Sequence, residues 1–139
     1  MSSVVAFDTI SQRLTASWTT TDLVFENDPY DLPGTPAAFV YVEMWGIPGG
    51  FDQESIGGGA DRDDNLWREC GTLDIHVMVP NGTGSRDARV KADALIDLFR
   101  GFEIGDVTFL EASVGEGKPG RQFANYWAMT ASISWRRDQ

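Results

Sequence analysis

Apolar positions along this chain recur at three- and four-residue steps in two stretches and at alternate positions in several others. Phe7, Ile10, Leu14 and Trp18 share one helical face. This spacing predicts a helix opened by Asp8 and closed by the backbone-competing residues 19–22. A short strand is expected over residues 23–26, followed by Asn-Asp-Pro and Asp-Leu-Pro-Gly turns at 27–29 and 31–34. Residues 39–45 alternate, with Phe39, Tyr41 and Trp45 on one face and Val40, Val42 and Met44 on the other, a strand covered on both sides.

Residues 46–65 hold six glycines, Pro48 and the acids Asp52, Glu54, Asp61, Asp63 and Asp64. The stretch reads as an irregular loop or a projecting hairpin, of the kind that is usually functional or disordered. Residues 67–79 form the clearest strand, with Leu73, Ile75, Val77 and Val79 inward and Thr72, Asp74, His76 and Met78 outward. Pro80-Asn81-Gly82-Thr83-Gly84 breaks it. Ser85 then caps a second helix whose buried face is Ala88, Ala92, Leu95 and Phe99, with Arg100 in its last turn and Gly101 beyond. Strands over 107–112 and 126–135, joined by a flexible connection at 115–120, complete the order α-β-β-β-α-β-β. That order predicts an α+β fold, two helices on one face of a mainly antiparallel sheet, within a single domain spanning 1–139.

At 139 residues and 42% apolar content the chain has enough material for a core without metal or disulfide staples. The formal charge of −10 disfavours non-specific contact with nucleic acid. Cys70 is the only cysteine, which suits a reducing compartment. The N-terminus lacks the basic and apolar regions of a signal peptide, no run suits a membrane helix, and the sequon at Asn81 reads as a turn.

Motifs for catalysis fail one by one. His76 is the only histidine, with Asp74 beside it and no nucleophile elbow, so it reads as an exposed or half-buried strand residue. Gly82-x-Gly84 puts Asp87 where a dinucleotide loop needs its third glycine, and Gly117-Lys118 is followed by Pro119 where a phosphate loop needs Ser or Thr. Asp61-x-Asp63-x-Asn65 begins like a calcium loop but has Leu66 and Thr72 at its sixth and twelfth positions. No His/Cys cluster suits zinc. The expectation is a non-enzymatic protein with no catalytic, cofactor or metal residues.

Four features carry a resemblance: the helix with Ile10, Leu14 and Trp18; the Trp45 strand and its long excursion; the strand 73–79 running through Pro80-Asn81-Gly82-Thr83-Gly84 into the helix Ala88–Phe99; and the closing strand from Trp127 to Trp135. Together they resemble the tail terminator family of siphophages and gene transfer agents. The resemblance implies a virion protein assembled in the host bacterial cytoplasm as a homo-oligomeric ring, commonly a hexamer, at the head-proximal end of the tail. Its expected partners are further copies of itself, the tail tube protein and a head–tail connector or stopper, with DNA passing through unbound. A ring of about six copies would carry roughly −60, six times the charge of one chain.

The residues expected at interfaces are Phe51, Ile56, Asp61, Asp63 and Asp64 in the excursion, Arg86 and Arg89 on the second helix, and Arg136 and Arg137 near the end. Trp67 and Trp127 are expected in the core. Another head–tail joining component (a tail-completion or stopper protein), a tail tube subunit and a small stand-alone enzyme or ligand-binding domain are the competing readings.

Overall fold

The computed structural model describes residues 3–55, 61 and 64–139, with the side chains of 45–50 excepted. The elements run α1 (Val4–Ser17), β1 (Asp22–Phe25), β2 (Phe39–Gln53), β3 (Trp67–Pro80), α2 (Arg86–Asp97), β4 (Glu103–Ile104), β5 (Val107–Glu116) and β6 (Tyr126–Asp138). They form the expected α+β fold with a two-residue strand added after α2. The sheet order is β1-β2-β3-β6-β5-β4. Only the β1–β2 pair is parallel among the described pairs; the rest are antiparallel.

Both helices lie on one face. Ala6, Ile10 and Leu14 of α1, together with Trp18 just beyond it, belong to one core with Val40, Val42, Leu73, Ile75, Val77 and Val79. Ala88, Ala92, Leu95, Ile96 and Phe99 join the same core with Val107, Phe109, Met129, Ala131, Ile133 and Trp135. The buried stripe of α1 is the i, i+4 row from Ala6, so Phe7 stands at its flank, 39% exposed, its ring edge-on to Phe25 at 6.0 Å. Gly82 and Gly84 have φ of +82° and +80°, so the turn into α2 requires both glycines without any phosphate to cradle.

Ser3, not Asp8, caps α1: its Oγ accepts from the Ala6 amide at 3.3 Å. Glu69 of β3 completes the cap from across the fold, accepting from the Ser3 amide and, at 2.7 Å, from the Ser3 hydroxyl. A carboxylate here serves the N-cap amide as a third-position Glu does in a capping box, and it faces the positive end of the helix. Glu69 is fully buried, with Arg137 Nη1 3.7 Å away. At the other end of α1, Arg13 donates twice to the Leu98 carbonyl just past α2, binding the two helices together.

Residues 46–53 belong to the strand rather than to a loop. After an irregularity between Gly46 and Phe51, β2 pairs with β3 to Gln53, opposite Trp67. Backbone bonds between Trp67 and Gln139 bring β6 alongside this end. The last strands also run further than expected, β5 to Glu116 and β6 to Asp138. Replacing Glu69 with Ala strands a buried guanidinium and loosens the start of α1. Urea unfolding should register a loss of about 3–5 kcal/mol, and a loss below about 1 kcal/mol would show that the pair is not structural.

Candidate functional site

The sheet face opposite the helices is covered as well. Phe39, Tyr41, Met78 and Ala128 lie beneath Phe123, with Val24 buried beside them and Tyr30 and Tyr126 packed around. The ring of Phe39 meets those of Tyr30, Phe123 and Tyr126 at 4.8, 4.9 and 5.0 Å. Arg121 donates to the carbonyl of Asp28 at 2.8 Å, and Tyr126 OH donates to the Ala37 carbonyl at 3.0 Å. The first bond ties the 26–38 connection to the strap at 117–123, and the second ties it to the start of β6. Burial and the Asp22 carboxylate push the Tyr30 hydroxyl up to about 12.

Under this second layer runs a row of three polar side chains from three neighbouring strands. His76 on β3 contacts Glu43 Oε1 on β2 through Nε2 at 2.7 Å, and Thr130 Oγ1 on β6 through Nδ1 at 2.6 Å. The Gly120 amide of the strap donates to the same Glu43 oxygen at 2.9 Å. Since a carboxylate only accepts, the neutral imidazole donates from Nε2 to Glu43 and accepts the Thr130 hydroxyl proton at Nδ1. His76 is 2% exposed, which corrects the expectation of an exposed or half-buried residue: the strap covers the face it points from.

This hydroxyl–imidazole–carboxylate run has the order of a nucleophile relay, but backbone stands over its hydroxyl. A Cβ on Gly117 would fall 1.5 Å from Thr130 Oγ1, and one on Gly120 would fall 2.6 Å from Glu43 Oε2. The glycines let the strap lie close over the row, and the row in turn bonds the strap to the sheet; His76 and Thr130 also line an open groove of about 290 Å³ with Asp74, Ser113, Lys118 and Ser132. Sequence reasoning missed Glu43 and Thr130. The signal was a polar residue at a buried-phase position in each strand, but the strand register that joins them is not written in the chain.

The expected interface residues divide between the two ends of the sheet. At the β2–β3 end, Phe51 is half-buried opposite Glu69, while Asp52, Asp61 and Asp64 are exposed. The Asp64 carboxylate accepts from the Asp61 amide at 3.3 Å. Ile56 and Asp63 lie outside the described residues. Arg68 at this end is bidentate to Asp138 at 2.7 and 3.0 Å and holds that carboxyl below its ordinary range. Arg136 is half-buried opposite Cys70. Arg137 departs from the expectation of an exposed interface residue. It is 9% exposed, its charge taken up by Glu69 and, at 4.0 Å, Asp106, because its strand position faces the helices.

Arg86 and Arg89 are exposed at the start of α2, near the opposite end, with Arg89 Nε 3.3 Å from Ser85 Oγ. Also at that end, an open groove of about 650 Å³ lies between Met78, Lys118, Arg121, Phe123, Tyr126 and Trp127. Trp127 is half-buried, one side against the main core and the other in this groove; Trp67 is half-buried as well. Among the described residues no helix is long and apolar enough to cross a membrane.

A mainly antiparallel six-stranded sheet, helices on one face and a loop layer on the other, defines the class of fold. No family model and no curated protein matches the chain. Solved structures do match: one, whose name states no activity, aligns over 99% of this chain and 96% of its own at 17% identity, with a TM-score of 0.61. That likeness shows the fold alone.

Burial lowers the His76 pKa from its ordinary 6.5, against the opposing pull of Glu43 and Asp74. The unfolded imidazole therefore takes up its proton at higher pH than the folded one, and protonation favours unfolding. The stability this group provides is complete above pH 6.5 and is lost as pH falls toward the lowered value. His76→Gln should cost about 1–3 kcal/mol at neutral pH and flatten the pH dependence below pH 6.5. Urea midpoints across that range check it, and parallel profiles for the two proteins would contradict it.

Proposed function

We propose that this chain is a tail-terminator-like subunit that assembles into a ring, caps the tail tube, ends its polymerisation and offers the surface for joining the head. The observation that carries the reading is the unfinished edge of the sheet. Strand β4 pairs with β5 at two positions, Glu103 with Thr108 and Ile104 with Val107. From Leu110 to Glu116 no further strand lies on the outer side of β5 among the described residues. A long open edge is a template for another chain, and natural monomers usually block it. In a ring, each such edge has a neighbour.

The resemblance in element order supplies the particular role, and the charge fits it. A subunit of −10 arranged around a channel repels a phosphate backbone, so DNA could pass without adhering. Termination then needs no bond made or broken. One side of the ring matches the last tube ring, and the other is the wrong shape for the next tube subunit. The row at His76 serves here as an internal fastening, bonded to the strap through the Gly120 amide.

Deleting the gene from the phage or particle that carries it should leave headless tails of excessive, variable length beside tailless, DNA-filled heads in electron micrographs. Tails of normal length already joined to heads would overturn the terminator reading. Retention of this chain by connector proteins alone, and never by tube protein, would favour a stopper or completion protein instead.

A further inference from the structure

The open side of β5 presents backbone groups at three alternate residues. The Gly117 amide donates to the Ala128 carbonyl at 3.3 Å, and the pairing of β5 with β6 is unbroken from Ala112 to Glu116. Bonded and unbonded pairs alternate along an antiparallel ladder. Counting back from Gly117, Gly115 and Ser113 turn their backbone groups to β6, while Glu116, Val114 and Ala112 turn theirs outward. Before the register shift that follows Phe109 the outer side is taken, since the Phe109 amide donates to the Phe102 carbonyl at 2.9 Å. From Ala112 to Glu116 no strand among the described residues receives these groups.

The opposite edge of the sheet is shut. In β1 the Phe25 amide donates to Asp28 Oδ2 at 3.2 Å, and the Phe25 carbonyl accepts from the Asp28 amide at 3.1 Å. By the same alternation only Leu23 of β1 has outward groups left to offer, too few to match β5. The β5 edge lacks the guards that natural edges carry, for residues 107–116 hold no proline, lysine or arginine.

We infer that the β5 edges of two copies of this chain pair antiparallel about a two-fold axis at Val114. In this register Val114 faces Val114 of the second copy and Ala112 faces Glu116, so every outward group finds a partner, in about six bonds. Glu111 falls opposite Gly117, so no carboxylate opposes another. A Cβ on Gly115 would stand in open space, so that part of the edge is clear. Ala112 and Val114 pack against the helical core. The axis sets the two Val114 side chains next to each other and continues that core across the pair.

A contact between like surfaces closes at two copies, whereas the neighbours in a ring meet through unlike ones. The pair must therefore part before an edge takes its ring neighbour. It is a resting form that hides the edge until there is a tube to cap, and this meaning rests on the terminator reading; the contact itself does not. With −10 on each copy, charge opposes pairing, and screening by salt strengthens it.

Sedimentation velocity of the full chain tests it. The wild type should form a reversible two-copy species that grows with concentration and with salt. Val114→Lys and Val114→Glu each set like charges face to face at the axis, and each should weaken the pairing at least about tenfold. An equimolar mixture of the two should recover a pair holding one of each. Circular dichroism confirms that each variant is folded. Val114→Cys in a Cys70→Ser background is a milder variant and should cross-link under gentle oxidation. Facing Cα atoms at a bonded pair stand about 5.5 Å apart, within disulfide reach. Thr20→Cys in the same background, exposed and away from the edge, should not cross-link.

A monomer at every concentration, pairing that salt weakens or that the like-charged variants leave unchanged, a mixture that fails to recover it, or cross-linking at position 20 as ready as at 114 would each overturn the inference. Tail length in the gene deletion responds to none of these results, so the resting pair and the terminator reading fail separately.

Discussion

Strand β3 has no side turned to water from Ile75 to Val79, and the rest of the structure follows from how both sides are closed there. Leu73, Ile75, Val77 and Val79 are buried under the helices, while His76 and Met78 are buried under the strap. An apolar second layer alone would slide, because dispersion and hydrophobic contact have little direction. The Glu43–His76–Thr130 row supplies direction, since each bond needs one donor and one acceptor in one register. Gly120 extends it to the strap, and Arg121 extends it to the 26–38 connection. Glu69 does the corresponding work on the helical face, where it fixes the start of α1 and engages Arg137.

The helical face was legible from the sequence because one apolar period survived in each element. The row Ile10-Leu14-Trp18 and the alternation from Leu73 to Val79 both state which side is buried, although the face begins at Ala6 and not at Phe7 as the spacing suggested. The second layer was not legible. A strap such as 117–123 has no period to read, and its glycines look like flexibility when in fact they permit contact at distances no Cβ allows. His76 therefore looked exposed, and Glu43 and Thr130 looked like ordinary polar positions. Arg137 misled for the opposite reason. A charged residue near a terminus reads as surface, whereas its strand phase turns it toward Glu69. Of the expected interface residues, the exposed acids at 61 and 64 and the arginines at 86 and 89 do lie at the surface, but at opposite ends of the sheet.

That separation gives the proposed function its physical form. A subunit fastened on both faces presents an open β5 edge along one side and surfaces of different charge at its two ends. Under the proposed function such fastening would matter, because a surface able to adapt would accept the next subunit. In this account the buried polar residues serve fit, and the exposed acids and cations decide what is fitted to what.

The central claim is that this surface stops tube growth by shape. Its most direct measurement is the length distribution of tubes grown from purified tube protein of the same particle, in the presence of increasing, substoichiometric amounts of this chain. The account predicts shorter tubes, each ending in one added ring, with mean length falling as the amount rises. Tubes of unchanged length, with this chain absent from their ends, would contradict it.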